Sequence, residues 1–284
     1  MQINWFPGHM KKTLDKMQDN IKKIDIVIYV LDARAVFSCL NPNFDKIVKD
    51  KTILYVVNKV DLIEKSDAEK IVNIFKKQNK NVICMQGTLS TNKSYLLSCL
   101  KDLVKDKYES RKNKGIEPVF KVMVIGTPNT GKSTIINTLY GQKKAVTGDK
   151  AGVTKANQWV KVSDNFVMLD TPGTLWPKFE NEIIAQNLAF IGSIKKEVLD
   201  ESELGFELVK FLISKYPNLL ESRYKVSDFD RETIDVYDDI LVKAGCIMKG
   251  KEIDYERGGT KILEDFRSGR IGKICLDDLS KFAK

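Results

Sequence analysis

Gly126-Thr127-Pro128-Asn129-Thr130-Gly131-Lys132-Ser133 matches the phosphate-binding pattern G-x-x-x-x-G-K-[ST] at every position. The β-branched, apolar residues 120–125 before it predict a buried strand, and residues 133–139 after it predict a helix. The two glycines allow the backbone to aim successive N–H groups at phosphate oxygens, and the helix start adds partial positive charge. The stretch therefore predicts a strand–loop–helix unit that binds phosphate.

The residues of this loop have separate expected roles toward a nucleoside triphosphate. Lys132 is expected to reach the β- and γ-phosphates, and Ser133 to ligate Mg²⁺ through its hydroxyl. The predicted phosphate-binding set also includes their neighbours Asn129, Thr130, Gly131 and Thr134. A chance glycine-rich turn before a helix is the alternative, which the strand and helix on either side disfavour.

A second phosphate-related pattern, D-x-x-G, follows at Asp170-Thr171-Pro172-Gly173, after two short predicted strands at 158–162 and 165–169. In this pattern the carboxylate holds Mg²⁺ through water, and the glycine N–H senses the γ-phosphate. Thr154 lies in a polar, glycine-containing stretch between the two patterns and could close on the magnesium and the γ-phosphate. Asp170 could alternatively be a simple turn residue at the end of a strand.

The composition is that of a globular protein with an excess of positive charge. The chain has 284 residues, 43% of them hydrophobic, and a formal net charge of +9. These values fit one large or two modest domains. The first 125 residues carry 23 basic and 14 acidic side chains, whereas residues 200–284 carry 15 and 18. An anionic partner such as RNA is therefore plausible, although composition alone does not name it.

Cysteine usage and hydropathy predict a compartment. Five cysteines without a C-x-x-C pair predict reduced thiols in the cytosol and no zinc site. The sequence shows no signal-peptide core and no apolar run approaching the length of a membrane span. We therefore expect a soluble, cytoplasmic protein.

Asn58-Lys59-Val60-Asp61 follows a predicted strand at 52–57 and matches N-K-x-D, the guanine-reading pattern of GTP-binding proteins. The Asp61 carboxylate can accept hydrogen bonds from guanine N1–H and the 2-amino group, which adenine does not offer there. This disfavours an ATPase. Asn58 can hold neighbouring loops, and the stem of Lys59 can cover the face of the ring.

The order of these motifs is rotated relative to ordinary GTPases, in which the phosphate loop precedes the guanine-reading motif. A circular permutation accounts for the order, because the same sheet can be assembled from a chain cut elsewhere at the surface. The predicted fold is α/β: a circularly permuted P-loop GTPase domain with a mostly parallel sheet over residues 1–180. A small all-α domain is expected to follow over residues 181–284, where apolar residues recur at helical spacing.

Several motifs together resemble the bacterial YlqF/RbgA family of ribosome-assembly GTPases. They are W-F-P-G-H-M near the start, D-A-R with a later N-P, N-K-x-D, G-x-P-N-x-G-K-S, D-T-P-G, L-W-P-K-F and F-R-S-G near the end. The resemblance runs along nearly the whole chain. It implies a GTPase that requires Mg²⁺ and assists late maturation of the large ribosomal subunit. The implied partners are rRNA and the precursor of that subunit, with no membrane span and no DNA.

The resemblance also implies roles for individual residues. His9 matches an N-terminal histidine that is held to replace the water-orienting glutamine of other GTPases, although a lone histidine after a turn can also be a helix cap or a surface residue. Lys132, Thr154 and Gly173 are the other catalytic candidates. The position after D-T-P-G, hydrophobic in relatives, is Thr174 here. Met85 and Gln86 correspond to the loop that contacts the base. Asn129 matches an asparagine that helps bind K⁺ in potassium-dependent relatives, where the cation supplies the charge of an arginine finger.

Alternatives remain at this stage. The protein could be an RNA-binding placeholder in which GTP is structural, or a GTPase that acts on another RNA target such as tRNA, or on a membrane. Basic residues in the last third of the C-terminal region could contact RNA or form an ordinary solvated helix face. They are Lys249, Lys251, Arg257, Lys261, Arg267, Arg270 and Lys273.

Overall fold

The fold was analysed in a computed structural model that describes residues 8–87, 92–140, 158–170 and 181–282. Within these ranges the chain forms six strands and eleven helices. The strands are β1 (Ile26–Asp32), β2 (Thr52–Asn58), β3 (Asn81–Met85), β4 (Phe120–Ile125), β5 (Gln158–Ser163) and β6 (Phe166–Asp170). The helices are α1 (Gly8–Ile21), α2 (Pro42–Val48), α3 (Lys65–Lys77), α4 (Asn92–Leu103), α5 (Lys105–Asn113), α6 (Lys132–Tyr140), α7 (Glu182–Phe190), α8 (Glu201–Lys215), α9 (Pro217–Tyr224), α10 (Thr233–Lys243) and α11 (Tyr255–Arg267).

The six strands form one sheet in the order β3-β2-β1-β4-β6-β5. All neighbouring pairs are parallel except β5 with β6, which are antiparallel. Every residue of β1 is buried, as expected for an inner strand of a parallel sheet covered on both faces. The mostly parallel α/β fold predicted from the sequence is confirmed.

The register of the sheet brings the motif-bearing strand ends to one edge. Asp32 lies opposite Asn58, and Asn58 lies opposite Met85. On the other side of the centre, Val124 lies opposite Asp170. Ligands of such sheets bind beyond the carboxyl ends of the strands, so this edge is where a nucleotide site is expected.

The strand that leads into the phosphate loop is fourth in sequence but central in the sheet. β4 lies between β1 and β6, and the N-K-x-D motif follows β2 on the far side of β1. Starting at β4, the strands follow the chain order 4-5-6-1-2-3. This is the arrangement that the predicted circular permutation requires.

The apolar core beneath the phosphate loop anchors the loop at both ends. Val122 and Val124 of β4 and Ile135 and Leu139 of α6 belong to one buried cluster. Burying each such side chain contributes about 1.5–3 kcal/mol. The strand and the helix that flank the loop are thus held rigidly relative to each other.

The apolar spacing of residues 95–108 predicts a single amphipathic helix, but the structure divides it. The chain leaves helical geometry at Val104, where α4 ends and α5 begins. The basic residues 111–115 predict a linker, which is wrong in part because α5 continues to Asn113. Arg111 lies 3.0 Å from Asp25 and 4.7 Å above the ring of Phe120, so packing and an ion pair hold this stretch against the sheet.

The described residues divide into two compact units. The larger comprises the sheet and its helices, from the range Trp5–Glu180, together with residues 275–282. The smaller, Asn181–Ile274, contains α7 to α11. The return of residues 275–282 to the larger unit was not foreseen from the sequence. None of the helices in the described ranges is long and apolar enough to cross a membrane.

The smaller unit is built around a close helix crossing and a buried carboxylate. A side chain on Gly259 of α11 would collide with the backbone of Glu201 in α8, so the two helices approach closely. Asp265 of α11 is buried and accepts hydrogen bonds from Arg223, Tyr224 and Arg270. The sequence predicted α11 at its observed bounds, whereas α9 was missed.

Candidate nucleotide site

The phosphate loop has a backbone that requires its two glycines. Gly126 has φ +153° and Gly131 has φ +96°, a region that other residues rarely adopt. A Cβ atom on Gly126 would collide with the carbonyl oxygen of Val30, and one on Gly131 with the side-chain amide of Asn58. The loop therefore lies directly against the ends of β1 and β2.

Side chains inside the loop bind its own backbone. The Thr130 hydroxyl donates to the Thr127 carbonyl at 3.0 Å. The Lys132 ammonium donates to the same oxygen at 2.8 Å, although its side chain is only 8% exposed. A buried ammonium that is paired with a neutral carbonyl would gain by exchanging that acceptor for an anionic one. Lys132 is thus placed to receive a phosphate oxygen.

Asn58 joins three segments at the carboxyl edge of the sheet. Its Nδ2 donates to the Thr130 carbonyl at 2.9 Å, and its Oδ1 accepts from Gly87 N–H at 2.8 Å. Thr138 of α6 donates to the Gly87 carbonyl at 2.9 Å. The guanine-reading motif, the phosphate loop and the loop after β3 are therefore fixed to one another by one amide.

Lys59 lies between the guanine-reading motif and the tip of the phosphate loop. Its backbone is left-handed, with φ +62°, and its ammonium donates to the Asn129 carbonyl at 2.7 Å. The same ammonium lies 2.9 Å from Asp32 Oδ2. Asp61 follows in a short 3-10 turn, and its carboxylate is exposed. The Asp61 carboxylate is thus accessible from solvent at this edge.

The partner of Lys59, Asp32, belongs to a buried ionic pair. Arg34 is 2% exposed, and its guanidinium binds both oxygens of Asp32, at 2.9 Å from Nε and 2.8 Å from Nη2. Burial alone would raise the pKa of Asp32, but the charges and hydrogen bonds of Arg34 and Lys59 outweigh it and hold that pKa well below its usual range. The carboxylate is therefore ionised at neutral pH.

Asp32 and Arg34 are site residues that the sequence reasoning missed. In the sequence they were noted only as part of the D-A-R motif that resembles the YlqF/RbgA family. A signal was available, because an aspartate at the end of a buried strand with arginine two residues later predicts a buried charge that needs a partner.

The remaining predicted nucleotide-binding residues lie around the same edge. Met85 is buried at the end of β3, and Gln86 follows it, half-buried, with its carbonyl accepting a hydrogen bond from Asn92. Ser133 and Thr134 are half-buried in the first turn of α6. The structure thus brings together six of the predicted residues: Asn58, Lys59, Asn129, Thr130, Gly131 and Lys132. Met85, Gln86, Ser133 and Thr134 lie nearby.

Among the described side chains, the Ser133 hydroxyl at the start of α6 is the donor type that suits Mg²⁺. The backbone of Asp170 ends β6, the strand beside β4. The predicted positions Thr154, Gly173 and Thr174, and the side chains of His9 and Asp170, lie outside the described part of the chain.

The chain is similar in sequence to known GTPases along nearly its whole length. A protein-family profile described as "50S ribosome-binding GTPase" matches residues 121–238. "Ribosome biogenesis GTPase A" of Priestia megaterium is 35% identical over 283 residues, which cover 99% of this chain and 98% of the relative. The protein of the same name from Thermotoga maritima is 30% identical over 278 residues, covering 97% and 94%.

The chain belongs to the ribosome biogenesis GTPase A (YlqF/RbgA) family. The crystal structure of GNP-bound YlqF from T. maritima aligns with a TM-score of 0.67 and 25% identity, covering 94% of this chain and 98% of that one. Membership in this family makes the protein a GTP hydrolase, and GTP is its substrate. GTPases of this class typically work with Mg²⁺.

Proposed function

We propose that this ribosome biogenesis GTPase acts in late maturation of the large ribosomal subunit, binding rRNA or the precursor particle. One observation supports this above others: relatives named for ribosome biogenesis align with 99% of the chain, including the smaller helical unit. The alternative GTPase targets, tRNA or a membrane, have no such support.

We propose that the N-K-x-D segment selects guanine. Asp61 accepts from guanine N1–H and the 2-amino group, and Lys59 covers one face of the ring with its stem. Asn58 holds the surrounding loops, through the two hydrogen bonds described above. Met85 and Gln86, at the end of β3, supply backbone contacts to the base. The Asp61 carboxylate is exposed and therefore accessible to the base.

Lys132 is proposed to bind the β- and γ-phosphates by exchanging the Thr127 carbonyl for phosphate oxygens. Asn129, Thr130, Gly131 and Thr134 present backbone and side-chain donors to the same phosphates. Ser133, Thr154 and Asp170 would hold Mg²⁺, which would neutralise charge on the transferring phosphate.

The catalytic proposals concern the remaining positions. His9 orients the attacking water, and the N–H of Gly173 and the hydroxyl of Thr154 respond to the γ-phosphate. We propose that Asn129 helps bind K⁺, as the matching asparagine does in potassium-dependent GTPases. Potassium there would supply the charge that an arginine finger supplies elsewhere.

These parts form a timed cycle in the proposed assembly role. GTP orders Thr154 and Gly173 around the magnesium, hydrolysis releases them, and the affinity for the particle changes. Residues 1–180 act as the GTPase domain, to which residues 275–282 also belong, and the rest of residues 181–284 acts as the domain that docks on RNA. The particle accelerates hydrolysis by fixing His9 and the switch residues. We propose the cytoplasm as the site of action, where ribosomal subunits mature.

The test is GTP hydrolysis by wild type and His9→Ala, with and without purified large ribosomal subunits, in potassium and in sodium buffer. We expect stimulation by subunits that is lost in the variant while GTP binding survives, and faster hydrolysis in potassium. Asp61→Asn is expected to lose GTP affinity, whereas the control Asp67→Asn, whose carboxylate pairs with Lys70 on α3, is expected to keep it.

Equal rates with and without subunits would contradict the assembly-factor proposal and favour the RNA-binding placeholder, in which GTP is structural. Crosslinking to tRNA rather than to rRNA would favour the other RNA target. Unchanged GTP affinity in Asp61→Asn would contradict the assignment of the base-reading site.

A further inference from the structure

Residues 275–282, here called the C-terminal clasp, bind the loop that follows β1. Leu276 N–H donates to the Arg34 carbonyl at 2.7 Å. The Asp277 carboxylate accepts from Phe37 N–H at 2.7 Å through Oδ2. These bonds span about 240 positions of sequence, so the clasp is a long-range contact within the larger unit.

The clasp is also held by a hydroxyl and by aromatic stacking. Ser38 Oγ donates to Asp277 Oδ1 at 2.6 Å. Phe282 stacks on Phe37, with ring centroids 3.9 Å apart and planes 10° apart, and Phe37 stacks in turn on Phe75 of α3. Charge-assisted hydrogen bonds are about twice as strong as neutral ones, so Asp277 is the main polar anchor.

The same loop leads to the nucleotide site through buried charges. Arg34 binds the clasp with its backbone and Asp32 with its guanidinium. Asp32 binds the ammonium of Lys59, which reaches the Asn129 carbonyl in the phosphate loop. A continuous series of polar contacts therefore runs from the clasp to the tip of the phosphate loop.

We propose that the C-terminal clasp positions Lys59 for nucleotide binding, with Asp277 and Asp32 as positioning residues. Asp277 fixes the loop that carries Arg34, Arg34 fixes Asp32, and Asp32 aims the ammonium of Lys59. A lysine side chain is flexible, and this one is 28% exposed, so it needs such a partner to hold one orientation. The inference rests on the proposed assignment of Lys59 to the guanine site.

Cys275 provides a reporter of whether the clasp is closed. It is buried, and burial, aided by the negative charges of Asp277 and Asp67, raises the pKa of its thiol to about 12. The thiolate is the reactive form, so the closed clasp protects Cys275 from alkylation. Opening would expose the thiol, lower its pKa toward the ordinary value and speed alkylation.

The experiment uses the full chain with Asp277→Asn and, as the matched control, Asp278→Asn. The neighbouring Asp278 accepts hydrogen bonds from Ser280 within the clasp itself. We measure the affinity for a fluorescent GDP analogue and the rate of Cys275 alkylation at pH 8. Asp277→Asn should weaken binding about three- to tenfold, because a charge-assisted anchor is lost. It should also speed alkylation at least about threefold, because the clasp opens and because the charge of Asp277 no longer raises the pKa of the thiol. The control should match wild type in both.

A double-variant cycle with Lys59→Met separates positioning from general stability. If the clasp acts through Lys59, adding Asp277→Asn to Lys59→Met should weaken binding no further. The proposal would be overturned if Asp277→Asn weakened binding as much in the Lys59→Met protein as in the wild type. It would also be overturned if Asp277→Asn alone bound the nucleotide with wild-type affinity. If Asp277→Asn does not fold, Ser38→Ala replaces it, because this variant keeps all charges. It should weaken binding about twofold in the wild-type background and not in Lys59→Met, since one hydrogen bond is lost. Wild-type affinity in Ser38→Ala would then contradict the clasp proposal.

The assay contains no ribosomes, so it is independent of the proposed partner. A Lys59→Met variant that binds GDP like wild type would overturn the assignment of Lys59 and the clasp proposal together. A weakened Lys59→Met with an unaffected Asp277→Asn would overturn the clasp proposal alone.

Discussion

Asp32 is a carboxylate buried among positive charges. It is fully buried, between the guanidinium of Arg34 and the ammonium of Lys59. A buried ion pair adds little net stability when whole, but removing one partner leaves an uncompensated charge. The cost of losing Asp32 therefore comes mainly from Arg34, which cannot lose its proton and has little access to water.

We predict that Asp32→Asn lowers the free energy of unfolding of the larger unit by about 3–5 kcal/mol at pH 7. The folded-state pKa of Asp32 lies below its ordinary value of 3.8, so the charged form stabilises the fold. This contribution is fully present above about pH 5 and is lost as the pH falls below the unfolded-state value.

The measurement is urea unfolding of wild type and Asp32→Asn between pH 7 and pH 3, with pulse alkylation of Cys39 as the local readout. Cys39 is buried in the loop after β1, and burial, with the charge of Asp32, raises the pKa of its thiol to about 12. If the difference in free energy of unfolding between the two proteins stayed constant down to pH 3, the charge of the Asp32 carboxylate would not be the source of the stabilisation.

At the residue scale, sequence patterns identified residues that the structure brings together at one edge of the sheet, but they did not identify the residues that support them. N-K-x-D and the phosphate pattern placed Asn58, Lys59 and Lys132 at one edge, because each has a fixed chemical task and spacing. Arg34 and Asp277 were missed as supports, because their partners are set by long-range packing that no local pattern encodes.

At the scale of elements, the phosphate loop depends on how closely it approaches β2. Gly131 packs against the side chain of Asn58, which bonds the Thr130 carbonyl beside it. We predict that Gly131→Ala both strains the loop backbone and displaces Asn58. The free energy of unfolding should fall by more than the roughly 1–2 kcal/mol that left-handed strain alone costs. The affinity for GDP should fall more than tenfold, which corresponds to about 1.4 kcal/mol.

Gly115→Ala is the matched control for this prediction. Gly115 also has a positive φ, +71°, but a Cβ atom there would meet no atom within 4 Å. It should lose about 1–2 kcal/mol of stability and keep its GDP affinity. Thermal unfolding and calorimetric titration with GDP measure both; equal affinity losses in the two variants would show that the clash with Asn58 does not matter.

The elements themselves were predicted unevenly, for physical reasons. β4 was predicted close to its bounds from a continuous apolar run, and α11 from apolar residues at helical spacing. The break at Val104 has no glycine or proline to mark it, and α9 is too short to show a period. Boundaries of this kind depend on tertiary packing rather than on local sequence.

At the scale of the whole molecule, the nucleotide contacts assigned here lie in only one of the two compact units. A ligand stabilises the structure that binds it, by about 2.7 kcal/mol at a hundred times its Kd. We predict that GDP slows amide hydrogen exchange in β1, β4 and the clasp by up to about a hundredfold. Exchange in α8 and α11 should change little.

Hydrogen exchange followed by mass spectrometry checks this prediction, with Asp61→Asn as the control that should show no GDP effect. Equal slowing in Asn181–Ile274 would show that the two units unfold together. The same data would test the predicted division at residue 180, which stays a prediction. The α/β class and the rotated strand order followed from motif order alone, whereas the destination of residues 275–282 did not.

The hydrogen bond between Phe37 and Asp277 has a consequence for protein synthesis. The loop after β1 leaves the translating ribosome early, but its partner is made about 240 residues later. At roughly 5–20 residues per second, that interval is about 12–48 s. During it Arg34 and Lys59 are already synthesised while residues 275–282 are not. The clasp proposal therefore predicts that a nascent chain reaches its full affinity for guanine nucleotide only after residues 275–282 have been made.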